Sequence, residues 1–170
     1  MILILMGPTG CGKTTIGRRL AQRREWTFID GDDYHPAANV AKMHSGLPLD
    51  DEDRRPWLLA LRREIEAHLR TGQSAVMACS ALKQAYRDLL GVDQQTVRTV
   101  YLRGTFDLLQ RRLAERRGHF MPPALLRSQL DALEEPEGGL SVDIDADPET
   151  IVTRIVAALT GIVTSEPPPA

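Results

Sequence analysis

Residues 7–14 read Gly-Pro-Thr-Gly-Cys-Gly-Lys-Thr. A bound triphosphate needs many hydrogen-bond donors and little bulk around it, and this octet offers both. Gly7, Gly10 and Gly12 permit backbone angles closed to other residues and let a phosphate approach the chain. The N–H groups at the start of the following helix supply donors and a favourable dipole. Lys13 can set its ammonium near the β- and γ-phosphates, and the Thr14 hydroxyl can serve Mg²⁺. Pro8, Thr9, Cys11 and Thr15 complete the loop and its exit. Cys11 fits as a small residue inside it. An apolar run, Ile2–Met6, precedes the octet and a helical pattern follows it. Strand, glycine-rich loop and helix in this order form a P-loop, so the expected ligand is ATP with Mg²⁺.

The use made of the terminal phosphate depends on what faces it. Motor and switch ATPases usually end their third strand, or an equivalent one, in an acidic residue. Here that strand ends Ala78-Cys79-Ser80, without an acid, whereas the second strand ends in Asp30-Gly31-Asp32-Asp33. Two carboxylates at the C-terminal end of a strand sit where open α/β sheets bind ligands. Asp30 can join Thr14 at the metal, and Asp32 can orient or deprotonate an attacking hydroxyl. Arg111, Arg112, Arg116 and Arg117 precede Gly118-His119-Phe120. An arginine flap closing over the phosphates would neutralise charge that develops in transfer and keep water out. Arg112 and Arg116 are the candidates for ATP, with Arg116 and Lys13 acting in the transfer itself. A guanine-reading Asn-Lys-x-Asp is absent. The pattern points to a kinase of small molecules and away from a GTPase.

These groups need a scaffold, and the periodicity supplies one. Strands are expected at residues 2–6, 26–29, 74–79, 97–102 and 141–144. Helices are expected from 13 to 24, 36 to 45, across the stripe Trp57, Leu61, Ile65 and Leu69, and over 82–90, 105–116, 125–133 and 148–159. Pro56 reads as part of the first turn of the long helix, and Gly72 as its end. The preceding Asp50-Asp51-Glu52-Asp53 suits a helix start electrostatically. His44 and His68 read as surface residues, and Trp57 as core. Strands alternating with helices give a parallel sheet covered on both faces, a single three-layer α/β domain.

Composition sets the outer bounds. The chain has 170 residues, 42% hydrophobic and 26% charged, with net charge −2. That describes one soluble globular domain and gives no reason to expect nucleic acid as a partner. No apolar run approaches the ~20 residues that cross a bilayer. Two cysteines, Cys11 and Cys79, make no disulfide framework, so the cytoplasm is the expected compartment. Residues 162–170 are expected to be a disordered tail. Of 21 basic residues, 18 are arginine and three are lysine: Lys13, Lys42 and Lys83. A lysine kept in so arginine-rich a chain suggests a place for a compact ammonium.

Several segments resemble the gluconate kinases (gluconokinases). They are Asp30-Gly31-Asp32-Asp33-Tyr34-His35-Pro36 with Asn39, Lys42-Met43 and Ser45-Gly46-x-Pro48-Leu49; Asp51-x-Asp53-Arg54-x-Pro56-Trp57-Leu58; Ala78-Cys79-Ser80-Ala81-Leu82-Lys83-x-x-Tyr86-Arg87-Asp88; and Gly118-His119-Phe120-Met121. The matches run in order from residue 2 to about residue 145. The phosphate loop departs from the family's common Val-Ser-Gly-Ser-Gly-Lys-Ser but keeps its glycines, its lysine and a hydroxyl. The resemblance implies transfer from ATP to the 6-hydroxyl of D-gluconate, a fold similar to shikimate and adenylate kinases with strand order 2-3-1-4-5, a small lid near residues 116–124, and a homodimer. A sugar acid offers a carboxylate, which suits Arg54, Lys83 or Arg87. His35, Lys42 and His119 would serve its hydroxyls, and Asp32 the reacting one. The competing roles are structural: Arg54 pairing with the acidic cluster, and His35 bracing the turn before Pro36. Another hydroxy acid, such as shikimate, is the alternative acceptor. A nucleotide-dependent binding module is the reading outside catalysis.

Overall fold

A computed structural model describes residues 1–115 and 123–163. Five parallel strands form one sheet in the order β2-β3-β1-β4-β5: β1 (Ile2–Met6), β2 (Thr27–Asp30), β3 (Ala75–Ala78), β4 (Val97–Arg103) and β5 (Leu140–Asp143). Register pairs Leu5 with Ala78 on one side and with Val100 on the other. Asp30 of β2 pairs with Ala78. The ends of β1, β2 and β3 therefore come level, and the loops that follow them share one rim of the sheet.

Among the described residues, seven helices flank the strands: α1 (Lys13–Arg24), α2 (Ala37–His44), α3 (Asp51–Arg70), α4 (Gln84–Leu90), α5 (Phe106–Glu115), α6 (Pro123–Asp131) and α7 (Pro148–Val163). Two cores result, one per face, because β1 is buried throughout and its side chains alternate between faces. Leu3 and Leu5 pack with α1, α5 and α7 through Leu20, Leu109 and Ile155. Ile2, Ile4 and Met6 pack with α3 through Trp57, Leu61 and Ile65. The expected three-layer α/β domain, with the strand order that the resemblance implied, is what forms.

Element boundaries shift by a few residues. The largest consequence concerns α3. Its N-cap is Asp50, whose side chain accepts from the Asp53 N–H while the Asp53 side chain accepts from the Asp50 N–H. That reciprocal capping starts the helix at Asp51, so Pro56 lies inside the helix and not in its first turn. His68 is likewise corrected: it is 9% exposed, with Nδ1 against the Glu64 carbonyl at 3.0 Å. The flap residues Arg116, Arg117 and His119 lie outside the described residues, as do tail residues 164–170.

Candidate active site

The phosphate loop leaves β1 at Gly7 and enters α1 at Lys13. Gly7, Gly10 and Gly12 all have positive φ, of 142°, 83° and 94°. A Cβ on Gly7 would stand 3.0 Å from both the Cys11 sulfur and the Leu102 carbonyl oxygen. One on Gly10 would press on Leu113 at 3.1 Å. The loop is thus closed to side chains at the positions where a phosphate must come near. Cys11 is fully buried, in keeping with a small-residue role. Lys13 Nζ donates to the Gly7 and Pro8 carbonyls at 2.9 and 3.1 Å. Its ammonium lies over the loop, held by acceptors weaker than phosphate oxygens. The backbone N–H groups of Gly10, Gly12 and Lys13 have no protein acceptor among the described residues. A glycine cradle, unengaged N–H groups and a lysine fit a nucleoside triphosphate.

Beside the loop stands the end of β2. Thr14 Oγ1 donates to Asp30 Oδ2 at 3.1 Å, so the loop hydroxyl and the strand carboxylate are adjacent. Among the described residues there is no cluster of three His, Cys, Asp or Glu that could cage a metal. One hydroxyl and one carboxylate suit Mg²⁺, which keeps waters and takes phosphate oxygens in place of a full protein cage. Residues Gly31–Tyr34 make a single 3₁₀ turn capped by Asp30, whose Oδ1 accepts the Asp32 N–H at 3.4 Å. That turn aims Asp32 outward: its side chain is exposed.

What fixes the turn was only partly visible in the residues. Trp57 is core, as expected, yet its Nε1 also donates to the Gly31 carbonyl at 2.7 Å. His35 stacks on Trp57 with ring centroids 4.3 Å apart and 14° between planes. A Cβ on Gly31 would meet the Ala78 carbonyl oxygen at 2.5 Å. The Asp30–Asp32 turn is therefore pinned from α3 and from β3 at once. His35 Nδ1 is buried without a hydrogen-bond partner among the described residues. Burial lowers the His35 pKa; Asp32 opposes this and Arg54 reinforces it.

The basic candidates for the acceptor separate into three kinds. Lys42 forms ion pairs with Asp53 and, at 3.4 Å, Asp50. Lys83 holds both Asp51 oxygens at 2.8 Å, and Asp51 also accepts from the Tyr86 hydroxyl. Their hydrogen bonds to these carboxylates raise both lysine pKa values and lower those of Asp51 and Asp53. Arg54 behaves differently. It lies over the Tyr86 ring, with Nη1 3.4 Å from the Tyr86 hydroxyl, and has no carboxylate partner among the described residues. The competing role for Arg54, pairing with the acidic cluster, is not what forms among the described residues. Arg87 differs again: at 1% exposure it donates to the Ala81 and Leu82 carbonyls at 3.0 and 3.1 Å and to Gln84. It shapes the turn that carries Lys83, and the structure does not bring its guanidinium to the open rim. Arg112 donates to the Ile144 and Ala146 carbonyls at 2.7 and 3.4 Å, which places it at the loop after β5.

A triphosphate cradle, a metal-suited pair and an outward carboxylate thus share one rim with Arg54, His35, Lys42 and Lys83. The shikimate kinase family model matches residues 9–160. The probable gluconokinase of Xenopus tropicalis is 44% identical over 174 residues, covering 91% of each chain. The thermoresistant gluconokinase of Escherichia coli is 40% identical over 93% of each. The crystal structure of a gluconokinase from Sinorhizobium meliloti superposes with a TM-score of 0.84 at 37% identity, over 94% of this chain and 91% of that one. The chain belongs to the gluconokinase family. As a gluconokinase-family member it carries a P-loop kinase fold, to which the shikimate kinases are more distantly related. Among its described residues no helix is long and apolar enough to cross a membrane.

Proposed function

We propose that this protein phosphorylates D-gluconate at its 6-hydroxyl with ATP, giving 6-phospho-D-gluconate and ADP. The observation that carries the chemistry is the Thr14–Asp30 contact of 3.1 Å, which brings the phosphate loop against the turn bearing Asp32. Gluconokinases at 40–44% identity over nearly the whole chain supply the acceptor.

Lys13 and the loop N–H groups hold the β- and γ-phosphates, and Arg112 acts on the nucleotide from the far side of the loop. Thr14 and Asp30 hold Mg²⁺, which when bound offsets charge on the phosphate oxygens. Asp32 orients the primary hydroxyl and takes its proton as the new O–P bond forms. Arg54, unpaired by any described carboxylate, receives the gluconate carboxylate, with Lys83 beside it. His35 and Lys42 serve the hydroxyls; the His35 Nδ1, buried and without a partner among the described residues, can pair with a hydroxyl as donor or as acceptor. Arg116, for the phosphates, is assigned from the sequence pattern and His119, for the gluconate hydroxyls, from the family resemblance; both lie outside the described residues. The protein works as a homodimer in the cytoplasm, a reading that rests on the family resemblance and on two buried free cysteines.

A coupled assay of ADP formation across a panel of sugar acids and shikimate tests this. Gluconate should stimulate ATP consumption far above every other acid. Stimulation by shikimate with none by gluconate would replace the acceptor; ATP binding without turnover under every acceptor would remove the catalytic reading.

A further inference from the structure

The helix that follows the lid sequence touches both halves of the proposed centre. Thr9 N–H, inside the phosphate loop, donates to Gln129 Oε1 of α6 at 2.7 Å, a contact between residues 120 apart in sequence. It is the one bond from a described side chain to a backbone N–H of residues 7–14. Just past the C-terminal end of α6, the Gln84 N–H donates to Glu134 Oε2 at 2.6 Å and the Glu134 N–H to the Leu82 carbonyl at 2.9 Å. Those two bonds grip the turn that carries Lys83 at the start of α4. The apolar residues agree with this path. Leu126 is fully buried in the core on the α1, α5 and α7 face, while Leu133 packs against the core on the α3 face. Since β1 and β3 are neighbours, a segment bound to the loop after each crosses the rim of the sheet between the two cores.

We infer that residues 126–134 form a strut that sets the phosphate loop and the acceptor turn in one register, with Gln129 and Glu134 as its positioning residues. Gln129 reaches no reacting atom on this account. It fixes the Thr9 peptide, the stretch of the loop between the anchors that Gly7 makes on the Ser80 carbonyl and Lys13 makes on the Gly7 and Pro8 carbonyls. Catalysis that depends on sub-ångström placement of donor and acceptor gains from such a brace. The inference rests on the proposed function for the identity of the acceptor alone.

The test pairs two variants with two ligands. Gln129→Met keeps the volume and removes the acceptor. It should weaken binding of a non-hydrolysable ATP analogue and raise the ATP KM by about tenfold, with the gluconate KM within about twofold of wild type. Glu134→Ala should do the reverse, and Glu134→Gln, which still accepts from the Gln84 N–H, should restore the wild-type gluconate KM. Wild-type constants for Gln129→Met, or both KM values shifting together alongside a lowered melting temperature, would overturn the strut. Analogue binding needs no acceptor. If wild-type protein fails to turn over gluconate, the proposed function falls while this arm still decides the role of Gln129.

Discussion

Residues 7–14 and residues 30–54 flank the same rim, but they are built from different materials. The phosphate loop is made of backbone: three positive-φ glycines, carbonyls that hold Lys13, and N–H groups at a helix start. The acceptor side is made of side chains that hold one another: Lys42 on Asp53, Lys83 on Asp51, Arg54 over Tyr86 and His35 on Trp57. Backbone sites are specified by steric necessity, so the residue types point directly at the ligand. Side-chain sites are specified by competition among long charged groups, so composition names the participants without saying which of them faces the ligand.

The largest expected effect lies where the two regions meet. Asp32→Asn should lower kcat by about 10²–10⁴-fold, the range of a lost general base, with ATP-analogue affinity within a few fold. An unchanged kcat would leave the acceptor side without its reacting carboxylate. Next comes Arg54→Met. Losing a charged hydrogen bond of about 1.5–3 kcal/mol should raise the gluconate KM about 10–100-fold while sparing the ATP KM. Equal damage to both constants would mean that Arg54 serves the rim as a whole.

Trp57→Phe tests whether the Asp30–Asp32 turn is held from α3. It leaves the Gly31 carbonyl without its donor at 2.7 Å. Stability should fall by about 1–3 kcal/mol, seen as a melting temperature lowered by several degrees. The smallest effect is in pH dependence. His35 has a lowered pKa in the fold, so between that value and the free-imidazole value near 6.5 the unfolded chain binds the extra proton. Stability should therefore decline as pH falls through that window, by at most about 1.4 kcal/mol per unit. His35→Phe keeps a ring on Trp57 and should flatten the decline in melting temperature between about pH 7 and pH 5. An identical slope would show His35 to be solvated.

The contrast also accounts for what was readable from residues alone. Alternating apolar runs and helical stripes gave the five strands and seven helices, because burial on both faces leaves little choice of pattern. The glycines, Lys13 and Thr14 were readable for the steric reason above. Pro56 misled because a capping box opened by Asp50, six residues earlier, overrides its preference for a first turn. Arg87 misled because a buried guanidinium that holds carbonyls has the same letter as one that holds a substrate. Trp57 passed as core, since nothing in a hydrophobic stripe announces an indole N–H bonded to the Gly31 carbonyl. Gln129 carried no signal at all: its partner, Thr9, is distant in the chain and offers only a peptide N–H.

On the proposed function, a primary hydroxyl stands at Asp32, across the transferred phosphate from Lys13 and Thr14. Phosphorus–proton correlation NMR of the product formed from ATP and gluconate tests it directly. The expected product shows a phosphate coupled to the two protons of the C6 methylene. Coupling to a single proton of a secondary carbon, or inorganic phosphate as the only product, would contradict it.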